Sequence, residues 1–118
     1  MVAAVDASVE QKGETMASTI RVRAIAGGDV TQVQSLIRHP MDSGFVKDSK
    51  GQIIPPHYIE IVQFEHGGKT VFTAFWGPAV SKDPYLKFSF KGGKKGDDLT
   101  VNWVDNKGAT DSLVAKIQ

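Results

Sequence analysis

From Thr19 onward, apolar side chains recur at every second position in short runs, and glycine, proline, asparagine and aspartate interrupt them. A period of two marks strands with one buried face. Ile20, Val22, Ala24 and Ala26 alternate with Arg21, Arg23 and Ile25, and Gly27-Gly28-Asp29 then turns the chain. Val30 to Ile37 predicts a second strand. His39 to Pro56 is a long connection broken by Pro40, Gly44, Gly51, Pro55 and Pro56, with a short hairpin expected around Asp48-Ser49-Lys50-Gly51. His57 to His66 and Lys69 to Trp76 read as a hairpin, because Gly67-Gly68 supplies the positive φ angles of a two-residue turn. A second long connection runs from Gly77 to Pro84. Tyr85 to Phe90 places Leu86, Phe88 and Phe90 on one face, and the glycine-rich turn from Lys91 to Asp98 leads to Leu99, Val101 and Trp103. Asp105-Asn106-Lys107-Gly108 turns the chain into a last strand, Thr110 to Ile117. About seven antiparallel strands with regular turns predict an all-β sandwich, and a small closed barrel uses the same local patterns.

The central hairpin carries large apolar groups on both faces. A two-residue turn at Gly67-Gly68 pairs Phe64 with Val71, Val62 with Thr73 and Glu60 with Phe75. On the other face it pairs Glu65 with Thr70, Gln63 with Phe72, Ile61 with Ala74 and Ile59 with Trp76. A sandwich strand turns one face to the core and the other to water. The face holding Gln63, Glu65 and Thr70 is the more polar and is assigned outward, which leaves Ile59, Ile61, Phe72, Ala74 and Trp76 as an outward apolar patch. A patch of this kind calls for a cover by a partner. A register differing by one residue, or a 39–56 connection folded over it, would account for the same residues without a partner.

Composition narrows the function classes. The 118 residues suit one domain with a sizeable core, and the net charge of +1 supplies no field toward nucleic acid or an anionic membrane. No stretch is long and apolar enough to span a bilayer. The chain has no cysteine, which excludes disulfides, thiolate metal sites and thiol nucleophiles. Residues 1–17 carry Asp6, Glu10 and Glu14 with no basic start and no apolar core, so they do not read as a secretory signal. They are expected to be a disordered leader or tail, with residues 18–118 forming the domain.

Candidate chemistry is sparse. His39 and His57 bracket the long connection and are placed to approach each other, whereas His66 abuts a tight turn and is expected to be exposed. A structural role is favoured over a metal site, because no local ligand spacing accompanies them. Ser35, Ser43 and Ser81 lack a nucleophile motif, and Asp97-Asp98 reads as a solvated pair. Gly92-Gly93-Lys94-Lys95-Gly96 lacks phosphate-loop spacing and reads as a hairpin tip. Lys91, Lys94, Lys95 and Lys107 read as ordinary edge protection and solubility. No catalytic residue, metal or cofactor is assigned.

Four segments together resemble the SoxZ family. They are Arg38-His39-Pro40-Met41-Asp42-Ser43-Gly44, the segment from Lys47-Asp48 through Ile54-Pro55-Pro56-His57-Tyr58-Ile59, the run from Trp76-Gly77-Pro78 to Asp83-Pro84-Tyr85, and Trp103-Val104-Asp105-Asn106-Lys107-Gly108. Their order and spacing cover nearly everything from Ile20 to the C-terminus. The resemblance implies an immunoglobulin-like sandwich that is not an enzyme and that pairs with SoxY, whose flexible arm carries sulfur intermediates on a cysteine. It also implies transient contacts with other Sox enzymes, and a periplasmic location reached without a signal of its own by export with the partner. On that reading His39, Pro40, Met41, Pro78 and Tyr85 join Ile59, Ile61, Phe72, Ala74 and Trp76 as candidate partner contacts, and the uncovered patch also allows a homodimer. A stand-alone adhesion or ligand-binding sandwich is the alternative, and a metalloenzyme built on His39 and His57 is a third.

Overall fold

The computed structural model describes residues 18–118, so the expectation for residues 1–17 lies outside the described residues. Seven strands follow in order: β1 (Ile20–Gly27), β2 (Val30–Ile37), β3 (Ile59–His66), β4 (Lys69–Phe75), β5 (Tyr85–Lys91), β6 (Asp98–Asp105) and β7 (Thr110–Lys116). They form a three-stranded sheet, β1-β2-β5, facing a four-stranded sheet, β4-β3-β6-β7. Every pairing is antiparallel. This is an immunoglobulin-like sandwich in which the fourth strand lies beside the third rather than beside the fifth.

The inner faces follow the alternation of the sequence. Val22, Ala24, Val33, Val62, Phe64, Leu99, Val101 and Trp103 are buried, while Arg21, Arg23, Gln32 and Gln34 face water. Each fully buried aliphatic side chain contributes about 1.5–3 kcal/mol against the entropy of ordering it. Phe64, on β3, meets Phe88 of β5 edge to face at 4.7 Å, and Phe88 stacks on Phe72 of β4 at 4.3 Å. This aromatic trio ties the two sheets together.

Two bulges change the faces of the β3–β4 hairpin. Gly67 and Gly68 do form the tight turn, with φ of 61° and 79°, and His66 pairs with Lys69 as expected. Beyond it, Glu65 pairs with Thr70 but Phe64 pairs with Phe72, so Val71 is an extra residue in β4. From there the register is displaced by one, and Phe72, Ala74 and Trp76 pack against the core. A second bulge makes Glu60 extra in β3 relative to β6, because Ile59 pairs with Asp105 and Ile61 with Val104. Ile59 is thereby fully buried. The expected outward patch is corrected accordingly: Ile59, Phe72, Ala74 and Trp76 turn inward, Ile61 stays on the outer face, and Phe75, expected inside, is 78% exposed. A bulge shifts the pairing by one residue and so reverses the face of every side chain beyond it relative to the neighbouring strand.

The strands alternate direction, so the molecule has two unlike ends. One gathers the connections 38–58, 76–84 and 106–109. The other holds the β1–β2 and β3–β4 turns and the glycine-rich segment 92–97.

Candidate functional site

The loop end is organised around one carboxylate. Asp105 closes β6, and its side chain is fully buried. Its Oδ1 accepts the backbone N–H groups of Lys107 (3.0 Å) and Ala109 (2.9 Å), an Asx-type turn that reverses the chain into β7. Its Oδ2 receives His39 Nε2 at 3.0 Å and His57 Nε2 at 2.8 Å. The two rings meet edge to face at 4.4 Å, and His39 also sits edge-on to Trp103 at 5.2 Å. Burial alone pushes the Asp105 carboxyl up. The two histidine and two backbone hydrogen bonds outweigh it and hold the group down at about 2.

His39 is itself clamped on every side. Its N–H donates to Asp83 Oδ1 (2.9 Å), and its carbonyl accepts the Asp83 N–H (3.0 Å). Its Nδ1 accepts the Met41 N–H at 3.2 Å. Met41 Sδ in turn accepts the Ile59 N–H at 3.4 Å. Met41 and Asp83 are the only non-glycine residues with positive φ among the described residues, at 54° and 51°. Left-handed backbone costs roughly 1–2 kcal/mol per non-glycine residue and persists only where surrounding contacts hold it. Both strained residues touch His39, so the strain and the contacts that offset it share one place.

Neighbouring bonds extend the clamp. Asn106 works like an added strand residue: its N–H donates to Tyr58 O, its Oδ1 accepts the Tyr58 N–H, and its Nδ2 donates to Pro56 O. Asp42 and His57 exchange backbone hydrogen bonds at 2.7 and 2.9 Å. The segment 43–56 is thus closed at its base and folds into the expected small hairpin, with Lys47 bridged to Ile53 and the Asp48 carbonyl accepting Gly51 N–H. Phe45 (86% exposed), Val46 and Ile53 face solvent on this hairpin.

His39, His57 and Asp105 place three donor atoms within 4.8 Å, a spacing that a metal ion can use. The second bond to His39 argues for another use. The Met41 N–H donates to Nδ1, so the proton of the neutral ring sits on Nε2, directed at Asp105. Ligation through Nε2 would move that proton onto Nδ1, against the Met41 N–H. The arrangement is a hydrogen-bonded latch that fixes three connections to the end of β6.

The residues predicted from sequence divide here. His39 and His57 do meet, as expected, but His39 and Met41 are buried and offer no outer surface. Pro40, Pro78 and Tyr85 are exposed around the latch. Asp105 and Asn106 are legible in the sequence only as turn formers, and Asp83 only as part of the 77–84 connection, since their long-range partners have no sequence spacing. At the other end, His66 is only partly exposed and pairs with Asp97 at 2.8 Å, while Asp98 bridges to Lys116, so Asp97-Asp98 is not a merely solvated pair.

Comparison with known proteins shows the family. Residues 20–116 match the family described as Sulphur oxidation protein SoxZ. No curated protein matches the chain.

Proposed function

Because the chain belongs to the SoxZ family of sulphur oxidation proteins, we propose that it is a non-catalytic subunit pairing with a cysteine-bearing, SoxY-like carrier in periplasmic thiosulfate oxidation. It scaffolds the carrier and helps present it to the enzymes that load and unload it. The observation that carries this reading is the absence of cysteine. Covalent sulfur carriage needs a thiolate nucleophile, so a protein of this pathway without one requires a partner that supplies it.

The shape of the loop end supports the pairing role. Phe45, Val46 and Ile53 are large, apolar and solvent-facing, and they stand on a base that the Asp105 latch holds rigid. Exposed aromatic and aliphatic groups on a preorganised support are the usual anchors of a protein interface, because little entropy is lost when they dock. Pro40, Pro78 and Tyr85 lie on the same end and are free to contribute. Ile61, half-buried on the outer sheet face beside Phe75 and Val104, adds a smaller apolar row. On this reading the subunit reaches the periplasm together with its folded partner.

Co-expression with a candidate cysteine-armed partner tests the proposal. The wild-type chain should co-purify at equal stoichiometry, and Phe45→Asp should reduce recovery by at least about tenfold, the equivalent of one anchor residue, with an unchanged melting temperature. A chain that by mass spectrometry holds a sulfur adduct on its own, or that binds no such carrier, would overturn it.

A further inference from the structure

The sandwich has two lateral flanks, and only one is sealed. On the β1/β7 side, Ala26 N–H donates to Gln118 O and Gln118 N–H to Ala24 O, both at 2.8 Å, so the C-terminal residue stitches the two sheets together. On the other side β4 and β5 are the sheet edges, and side chains alone bridge them, through the Phe72–Phe88 stack.

Exposed edges are normally blunted by charge, because free N–H and C=O groups recruit another strand. β1 carries Arg21 and Arg23, β5 carries Lys87 and Lys91, and β7 carries Asp111 and Lys116. β4 has only Lys69, at its turn, and from Thr70 to Phe75 it has neither charge nor proline. Phe75 is 78% exposed there, and Phe72, Ala74 and Trp76 are only partly covered.

We propose that β4 is a self-complementary dimerisation edge, and that a second copy of this chain pairs with it antiparallel about a two-fold axis through Ala74. The backbone directions fit this register. Trp76 N–H donates inward to Glu60 O of β3, so by strand alternation the groups of Thr73 and Phe75 point away from the sheet. A two-fold axis at Ala74 pairs Thr73 with Phe75 of the second copy, twice, and uses those outward groups. It places the small Ala74 side chains opposite each other and Phe72 beside Trp76 of the second copy. No charge is buried, and the regular part of β4 beyond the Val71 bulge is used in full. The two four-stranded sheets become one continuous sheet, with an isologous contact as a closed dimer requires. The pairing is separate from contact with a sulfur carrier through the loop end and stands whether or not that reading holds.

The absence of cysteine makes the test clean. In a non-hydrogen-bonded antiparallel pair the Cα atoms lie about 4.5 Å apart, inside the range a disulfide spans. Purified Ala74→Cys should oxidise to a covalent dimer at least about tenfold faster than Ser89→Cys, which sits exposed on the charged β5 edge and reports random collision. Sedimentation equilibrium of the cysteine-free wild type should show a monomer–dimer equilibrium. Phe75→Lys, a solvent-exposed change that adds the missing edge charge, should weaken it by about tenfold or more while leaving the circular dichroism spectrum unchanged. A wild type that sediments as a monomer at every concentration, Ala74→Cys no faster than Ser89→Cys, or a dimer indifferent to Phe75→Lys would each overturn the proposal. The sedimentation arm decides it even if Ala74→Cys fails to fold.

Discussion

Both ends of this sandwich hold a histidine against an aspartate, and the two pairs behave as different devices. At the loop end Asp105 is sealed from water and serves two histidines and two backbone N–H groups at once. At the turn end Asp97 receives His66 and the Lys94 N–H, at 2.8 and 3.0 Å, with its side chain 40% exposed. The chemistry is alike, and burial makes the difference. A buried carboxylate that loses its partners, or partners that lose it, cannot turn to water, whereas exposed groups can. The loop end therefore has to be held by this network. The turn end is held by its glycine turns and by hydrogen bonds such as Gly92 N–H to Asp29 O and Gly96 N–H to Ile117 O, to which the His66–Asp97 contact adds a solvated increment.

The largest break in that comparison should come from Asp105→Ala. It strips acceptors from His39, His57, Lys107 and Ala109, of which His39 has no access to water. A loss of about 3–5 kcal/mol in urea unfolding is expected, in line with removal of one partner from a buried charged network. His39→Leu should follow, at about 2–3 kcal/mol, because it orphans the Met41 N–H and one Asp105 contact while keeping most of the volume. A loss under about 1 kcal/mol for Asp105→Ala would mean that the latch is ornamental.

Acid should release the latch in a defined window. The carboxyl of Asp105 falls from 3.8 to about 2 on folding. A depressed folded value means that the unfolded chain binds the proton first. The stabilisation is complete above about pH 4, declines as pH falls, and is lost below about pH 2, a swing of about 2 kcal/mol. Urea titrations between pH 5 and 2 check this, and the swing should vanish in an Asp105→Asn background.

The sequence makes the turn end far more legible than the loop end, for a physical reason. Gly27-Gly28 and Gly67-Gly68 encode local backbone geometry, and such tight turns depend on nearby residues alone. The 92–96 run shows its glycines in sequence but not its distant contacts with Asp29, Thr31 and Ile117. All seven strands could be placed because alternation is also local. The latch joins residues separated by 66 and 48 positions, and nothing in local periodicity announces that His39 and His57 share Asp105. The bulges at Glu60 and Val71 escaped for a related reason. An extra residue leaves the apolar pattern of each strand intact and alters only which partner it faces, so Phe72, Ala74 and Trp76 read as outward until the pairing was known. The two apolar faces of that hairpin were nonetheless a true signal, because a strand that is apolar on both sides needs either a cover over its outer face or a bulge, and here two bulges turn most of those groups inward.

The smallest expected effect sharpens the contrast. Asp97→Asn keeps an acceptor for the Lys94 N–H and removes only the charge facing His66. The hydrogen bond from His66 is the leading cause of the lowered Asp97 pKa, followed by the Lys94 N–H, so its contribution is likewise present above 3.8 and fades as pH falls below it. Asp97 is solvated, so mobile ions compete for its charge: the screening length drops from about 10 Å at 0.1 M salt to about 3 Å at 1 M. Asp97→Asn should thus shift the thermal midpoint by far less than Asp105→Asn, and the shift should shrink further in 1 M salt. The Asp105→Asn loss should hardly respond to salt, because no ion reaches a side chain with no exposed surface. Equal salt sensitivity at the two aspartates would mean that burial does not separate the two ends, and that the loop connections are held by something other than the sealed carboxylate.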